Sequence, residues 1–267
     1  MTFRFISHFA ADPYFNMAFD EWMFDKVIST PDMFILRLYS WSPGAITFGL
    51  NQRIEKAYNH KQVGETPVIR RATGGRAIFH DESELTYGLA IGAEVLESQK
   101  IGKSISESSL LISTLLVDTL KKFGIESAVT RQSIDEEKSK DFFHSAPCFE
   151  SVAKYEIMTN QHKIIASAQR RAAGSVLQHG SIKINGFKSH PALLLKDTNV
   201  LIDNKIEKVQ SPQFQRFAKL LKGSFENYFS SPLELLELSE SEKTAINNKL
   251  IYVRNNCLEK RDSIKQN

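Results

Sequence analysis

The sequence predicts an α+β fold of mixed, mostly antiparallel sheets flanked by helices. Three observations predict it. Strand-like and helix-like stretches alternate irregularly, without the strand–helix repeat of a doubly wound sheet. Two segments carry complete helix-start signals. Residues 33–52, 67–90 and 155–184 break into short apolar or alternating runs separated by turn residues.

In chain order, "DPYFNMAFDEWMFDKVI" predicts an amphipathic helix. Asp12 can cap it, and Pro13 suits its first turn. Phe15, Ala18, Phe19, Trp22 and Met23 then fall on one face. "MFILRLYSWSPGAITFGLNQ" reads as two short strands joined by a turn at Ser42-Pro43-Gly44. Residues 67–90 read as strand, Gly-Gly turn, strand, short loop, strand. Ser104 and Glu107 have the spacing of a capping box. Leu111, Leu115 and Val117 to Leu120 carry the apolar face of the helix that follows, and Gly124 ends it. Residues 131–147 are polar and aperiodic, an exposed loop. Residues 155–184 read as three strands, with turns at Asn160-Gln161 and near Gly174. From about residue 190 the chain reads helical and rich in Lys and Glu. No internal repeat or low-complexity tract interrupts it.

Composition bounds the function. The chain has 267 residues, 42% hydrophobic and 24% charged, as in an ordinary globular protein. Its formal net charge of +3 gives no reason to expect a nucleic-acid partner. No stretch reaches 18 uninterrupted apolar residues, and the N-terminus lacks a signal-peptide pattern. Two distant cysteines, Cys148 and Cys257, argue against a disulfide framework. The expectation is a cytoplasmic protein with no membrane association.

Three features could carry chemistry. In "RRATGGRAIFHDESELTYGL", residues 70–89, Gly74 and Gly75 can take backbone angles closed to other residues. Arg70, Arg71 and Arg76 add fixed positive charge. The segment can hold a phosphate or carboxylate, or it is simply a hairpin whose turn needs glycine. No P-loop pattern is present. Cys148 follows a proline at the end of the polar loop. It is either a nucleophile activated by a nearby cation or an inert thiol. Lys163 opens "KIIASAQ", either as a solvated strand-start lysine or as a group that holds an oxyanion. His80 and His179 precede turn-like residues and read as structural or site-lining. Cys257 reads as inert. No His, Cys, Asp or Glu set has metal-ligand spacing, so no metal is expected.

Taken together, "RRATGGRAIFHD", "PCF", "YEIMTNQHKIIASAQRR" and "LQHGSI" resemble the biotin/lipoate protein ligase family, and within it the octanoyltransferase branch. The resemblance covers about residues 10–190. It implies the catalytic-domain fold of that family and a cysteine nucleophile at Cys148. It implies that Lys163 contacts the acyl carbonyl, and that the Gly-Gly loop lines the acyl site. Arg71, Thr73, Gly74, Gly75, Arg76, His80, Ser167, Ala168, His179 and Gly180 are the implied substrate-binding positions. The implied division is a catalytic domain over 1–195 and a helical extension over 196–267 packed on it.

The implied reaction moves an octanoyl group from octanoyl-acyl carrier protein to a lysine of a lipoyl-domain protein. Candidate acceptors are the glycine-cleavage H protein and a dehydrogenase E2 subunit. No cofactor is expected, and the protein is expected to be a monomer. Departures are present. The ATP-using ligases have a third glycine where Arg76 stands, and an asparagine after the His-Asp pair that is missing here. Gln161 and Ala166 replace glycines around the lysine. Such partners are acidic, so Arg70, Arg71, Arg76, Arg170 and Arg171 are candidates for a docking rim. An ATP-dependent lipoate ligase, a relay amidotransferase between lipoyl proteins, and an inactive lipoyl-domain binder are the rival readings.

Overall fold

The computed structural model describes residues 1–102, 104–130, 155–159, 162–185, 188, 190–193 and 211–258. Strand β1 (Thr2–Ala11) opens the chain, a strand the sequence reading did not anticipate. Helix α1 (Pro13–Ser29) follows and starts as predicted: the Phe15 amide donates to the Asp12 carboxylate at 3.0 Å, and Pro13 needs no partner in the first turn. The remaining strands are β2 (Met33–Trp41), β3 (Ala45–Phe48), β4 (Val68–Arg70), β5 (Ile78–His80), β6 (Leu85–Ile91), β7 (Ala128–Val129), β8 (Ile157–Thr159), β9 (His162–Ala172), β10 (Ser175–Ile182) and β11 (Glu234–Leu235). The other helices are α2 (Ala93–Ser98), α3 (Ile105–Phe123), α4 (Ser211–Phe229) and α5 (Glu240–Asn256).

One large sheet runs in the order β11-β1-β2-β6-β10-β9-β8-β7. Its pairs from β2 to β7 are antiparallel, while β1 is parallel to β2 and to β11. A second sheet has the order β4-β3-β5. The mixed, mostly antiparallel α+β architecture is therefore as expected. Ala173 and Gly174 both have positive φ, 48° and 77°, the geometry of a two-residue hairpin between β9 and β10. The predicted turn at Asn160-Gln161 and the loop at 131–147 lie outside the described residues.

Two hairpins were misread. β2 and β3 belong to different sheets, so Ser42-Pro43-Gly44 carries the chain from one sheet to the other. β4 and β5 do not pair either, because β3 lies between them. The Gly-Gly segment is thus a connection across a strand and not a hairpin turn. Local patterning could not reveal this, since a third strand inserts from 20 residues upstream.

Alternation along the strands separates two cores. Leu36, Leu38, Tyr87 and Leu89 face α3 and α4, with Ile112, Leu116, Phe217, Leu221 and Phe225. Ile35, Ala90 and Leu177 face α1 and α5, with Phe19, Trp22, Met23 and Ile246. α3 has the predicted capping box, and Gly124 ends it at φ 103°. Its buried stripe is Ile112, Leu116 and Leu120; the predicted Leu111 and Leu115 pack only at the margin. The stripe is rotated because α4 and the sheet cover α3 together. Asp25 and Lys26 of α1 pair with Lys249 and Glu242 of α5.

Phe217 sits at 0% exposure where α4 meets this core. Phe217→Ala should cost about 3–5 kcal/mol in urea unfolding. Lys219→Ala, on the exposed side of the same helix, should stay within about 0.5 kcal/mol. Equal midpoints for the two variants would show that α4 is not part of the core.

Candidate active site

The large sheet brings distant residues into two rows on its α1 face. Pairing aligns Arg37, Gly88, His179 and Ala168 in one row, and Tyr39, Thr86, Ser181 and Ala166 in the next. α1 lies over the first row and places Asp20 above Gly88. A Cβ on Gly88 would stand 3.2 Å from the Asp20 carboxylate, so the glycine gives the carboxylate its seat. Asp20 accepts from Arg37 Nη1 at 2.8 Å, from the Tyr39 hydroxyl at 2.8 Å and from His179 Nδ1 at 3.0 Å. Burial pushes the Asp20 carboxyl up. The His179 hydrogen bond and the Arg37 charge outweigh that and hold it below its ordinary value. Arg37 also donates to the Asn16 carbonyl and side chain, at 2.9 and 2.6 Å.

The small sheet closes the other side. From β4 the chain turns through Arg71, Thr73, Gly74 and Gly75 before entering β5. Arg71 does not face a ligand as a free cation. Its guanidinium donates to the Gly74 carbonyl at 3.0 and 2.6 Å and to the Arg76 carbonyl at 2.8 Å. It is the clamp that gives the loop its shape. Gly75 has φ 88°, and a Cβ there would lie 2.7 Å from Arg71 Nη2. Gly74 has neither constraint, so the expectation of special backbone angles holds for Gly75 and fails for Gly74. The Thr73 hydroxyl meets His179 Nε2 at 2.5 Å.

His80 is buried beside this loop, stacked on Trp41 at 4.1 Å. Its Nδ1 lies 2.7 Å from Glu84 and its Nε2 lies 2.8 Å from the Thr47 hydroxyl. Glu84 also pairs with Lys183 and accepts from Thr86 at 2.7 Å. Burial raises the Glu84 carboxyl, but His80 and Lys183 overcome it and bring it from the ordinary 4.5 down to about 2. Burial lowers the basicity of His80 more than Glu84 restores it.

Between the sheets lies a narrow, partly open cleft with a cavity volume of about 40 Å³. Apolar walls come from Met17, Tyr39, Trp41, Ile78, Ala166 and Ala168, and polar edges from Thr47, Arg71, His80 and His179. Among the expected residues, Arg71, Gly75, His80, Ser167, Ala168, His179 and Gly180 meet at this cleft. Ser167 contributes backbone, because its hydroxyl bonds to Tyr87 at 2.7 Å on the opposite face. Gly180 permits that contact: a Cβ would stand 2.5 Å from the Tyr87 ring.

Lys163 is buried, not solvated as a strand-start lysine would be, and it pairs with Glu156 at 2.6 Å. Its direction follows from a β-bulge. Ile157 pairs with Ile165, but Met158 pairs with Lys163, leaving Ile164 extra. Neighbours on a strand alternate faces, so the extra residue puts Lys163 on the face of Ala166 and Ala168. Cys148 lies outside the described residues.

Two of the proposed rim arginines point inward. Arg70 donates to the carbonyls of Gly49, Leu50, Gln52 and Leu258, and stacks over Phe48 at 4.3 Å. Arg71 is the loop clamp. Neither is available for docking. Sequence reading missed Asp20, Arg37, Glu84 and Lys183. The available signal was an ionisable residue inside an apolar run, as in "MAFDEW" and "ILRLY".

Two measurements test this geometry. Gly75→Ala should destabilise by about 1–2 kcal/mol, whereas Gly74→Ala should stay within about 0.5 kcal/mol; equal effects would contradict the loop geometry. Glu84 has a folded value below its unfolded one. It therefore stabilises the fold fully above about pH 4.5 and loses that contribution as pH falls toward 2. The stability gap between wild type and Glu84→Gln should shrink over that window. A pH-independent gap would contradict the buried pairing.

The family model of the lipoyl protein ligase A/B catalytic domain matches residues 12–216. Octanoyltransferase LipM of Bacillus subtilis (strain 168) is 31% identical over 264 residues, 90% of this chain and 91% of that protein. Octanoyltransferase LipM of Macrococcus caseolyticus is 35% identical over 182 residues, 67% of this chain; the match spans 64% of that protein's length. Among solved structures, Thermoplasma acidophilum Ta0514 with bound lipoic acid matches with a TM-score of 0.71 at 17% identity, covering 97% of this chain and 99% of that one. Lipoate-protein ligase A bound with ATP matches with a TM-score of 0.67 at 18% identity, covering 94% and 95%. At such identities the two structures establish the fold, while the family model and the B. subtilis relative establish membership. This chain belongs to the lipoyl protein ligase A/B catalytic domain family.

Proposed function

We propose that the chain is an octanoyltransferase that moves an octanoyl group from octanoyl-acyl carrier protein to a lysine of a lipoyl-domain protein, through a thioester on Cys148. The observation that carries this reading is the match along 90% of the chain to the B. subtilis octanoyltransferase LipM. The site chemistry supports it. The cleft has an apolar floor of Ala166 and Ala168, suited to an unbranched acyl chain. Lys163 stands on that same face of β9.

The reaction runs in two exchanges. The Cys148 thiolate attacks the donor thioester carbonyl, and the donor thiol leaves with a proton. This exchanges one thioester for another at little free-energy cost and needs no ATP. The acceptor ε-amine then attacks the acyl-enzyme, the amide forms, and the Cys148 thiol is regenerated. The downhill step from thioester to amide drives transfer. Lys163, as a cation, stabilises the tetrahedral oxyanion.

Arg71, Thr73, Gly74, Gly75, Arg76, His80, Ser167, Ala168, His179 and Gly180 form or support the acyl site in this reading. The catalytic unit is 1–195, with 196–267 as a helical extension packed on it. The contacts of α4 with α3 and of α5 with α1 support that packing. No helix among the described residues is long and apolar enough to cross a membrane, in keeping with a cytoplasmic setting. An ATP-dependent ligase is the second reading, favoured by the fold it shares with ligase A bound with ATP.

Incubation with octanoyl-acyl carrier protein without ATP should add one octanoyl group by intact mass. The adduct should be removed by hydroxylamine and absent in Cys148→Ser. Lys163→Met should slow its formation on the order of 10²–10³-fold. No adduct, with adenylate formed from lipoate and ATP instead, would identify a ligase.

A further inference from the structure

Two hydrogen-bonded chains of the same composition flank the cleft. One runs Arg37–Asp20–His179–Thr73, the other Lys183–Glu84–His80–Thr47. Each has a buried cation, a buried carboxylate on the imidazole Nδ1, and a threonine hydroxyl on Nε2. Their imidazoles come from different sheets, and the two chains share no residue. Both end on the same segment. Thr73 is the residue before Gly74. Thr47 accepts from Arg71 Nη1 at 3.3 Å, and Arg71 holds the carbonyls of Gly74 and Arg76.

The chemistry of the groups fixes the direction of each chain. An ionised carboxylate only accepts, so Nδ1 must carry the ring proton. With a single ring proton, Nε2 then accepts, and the threonine hydroxyl donates to it. That leaves the Thr47 oxygen lone pairs turned to Arg71, whose guanidinium only donates. Moving either ring proton to Nε2 would set two acceptors, the bare Nδ1 and the carboxylate oxygen, against each other.

We propose that Asp20 and Glu84 are positioning residues that act through His179 and His80 to hold the 71–76 loop in the shape that lines the acyl cleft. Neither carboxylate touches the substrate. Each fixes one imidazole tautomer, and the tautomer fixes a threonine hydroxyl. Asp20 thereby sets the entry to the loop at Thr73, and Glu84 sets the Arg71 clamp across it. The proposal deepens the octanoyl-transfer reading, and rests on it only for what the loop holds.

The test uses full-length protein with ¹⁵N-labelled histidine. Long-range ¹H–¹⁵N spectra should report the Nδ1–H tautomer at both His80 and His179. Asp20→Asn should remove that preference at His179 and leave His80 unchanged. Because a buried carboxylate variant can fail to fold, threonine variants form a second arm. Thr73→Val should raise amide exchange at Gly75 about tenfold, the equivalent of roughly one lost hydrogen bond. It should raise KM for octanoyl-acyl carrier protein with kcat within about twofold. Thr73→Ser, which restores the hydroxyl, should return both values. Thr47→Val should loosen the loop through Arg71 in the same way, and Thr47→Ser should restore it. An Nε2–H tautomer in the wild type would overturn the proposal, as would unchanged exchange in Thr73→Val or no rescue by serine. If the wild type transfers no octanoyl group, the transfer reading fails, and the tautomer and exchange arms still decide the positioning claim.

Discussion

A carboxylate at 1% exposure between a helix and a sheet has to be neutralised, because an isolated buried charge costs several kcal/mol. At Asp20 the opposite charge comes from Arg37 of β2, while Tyr39 of β2 and His179 of β10 add hydrogen bonds. Removing Arg37 leaves the buried carboxylate without its counter-charge, and removing Asp20 leaves the buried Arg37 without its own. The Asp20 cluster therefore fixes how α1 lies on the sheet. It also fixes where His179 points, and through Thr73 where the loop over the cleft begins. Gly88 makes the arrangement sterically possible by leaving the space the carboxylate occupies.

The cleft follows from that constraint and from one topological fact. β3 inserts between β4 and β5, so the chain from Arg71 to Ala77 must cross from one edge of the small sheet to the other. It crosses above the two rows of side chains on the large sheet. A loop in such a place has few backbone partners of its own. Arg71 supplies them with three hydrogen bonds to its carbonyls. The charge that looked available for an anion is spent on shaping the walls. What remains facing the cavity is largely apolar, which suits an acyl chain better than a triphosphate.

Much of the fold was legible because its signals are local. Asp12-Pro13, the Ser104/Glu107 box, Gly124 and the turn near Gly174 each act within a few residues, and each fell where expected. β1 was missed because "TFRFISHFAA" is short of β-branched residues and shows no clean alternation. The Gly-Gly segment was misread because its geometry depends on a strand it does not contain. The site was legible only in part, for the same reason. Arg71, Gly75, His80, Ala168 and His179 stood out in the sequence and meet at one cleft, but the carboxylates and cations that set their geometry did not stand out. Lys183 and Glu84 are 99 residues apart, and nothing local in either segment announces the other.

The central claim is that the cleft over Ala166 and Ala168, bounded by the clamped loop, is the acyl site. The most direct measurement is a crystal structure of the protein soaked with octanoic acid. The account predicts continuous density for the eight-carbon chain along Ala166 and Ala168, beneath Gly75 and between Tyr39 and Ile78. Density for the chain in the groove beside Leu96, Gly102 and Arg171, with the cleft empty, would contradict it.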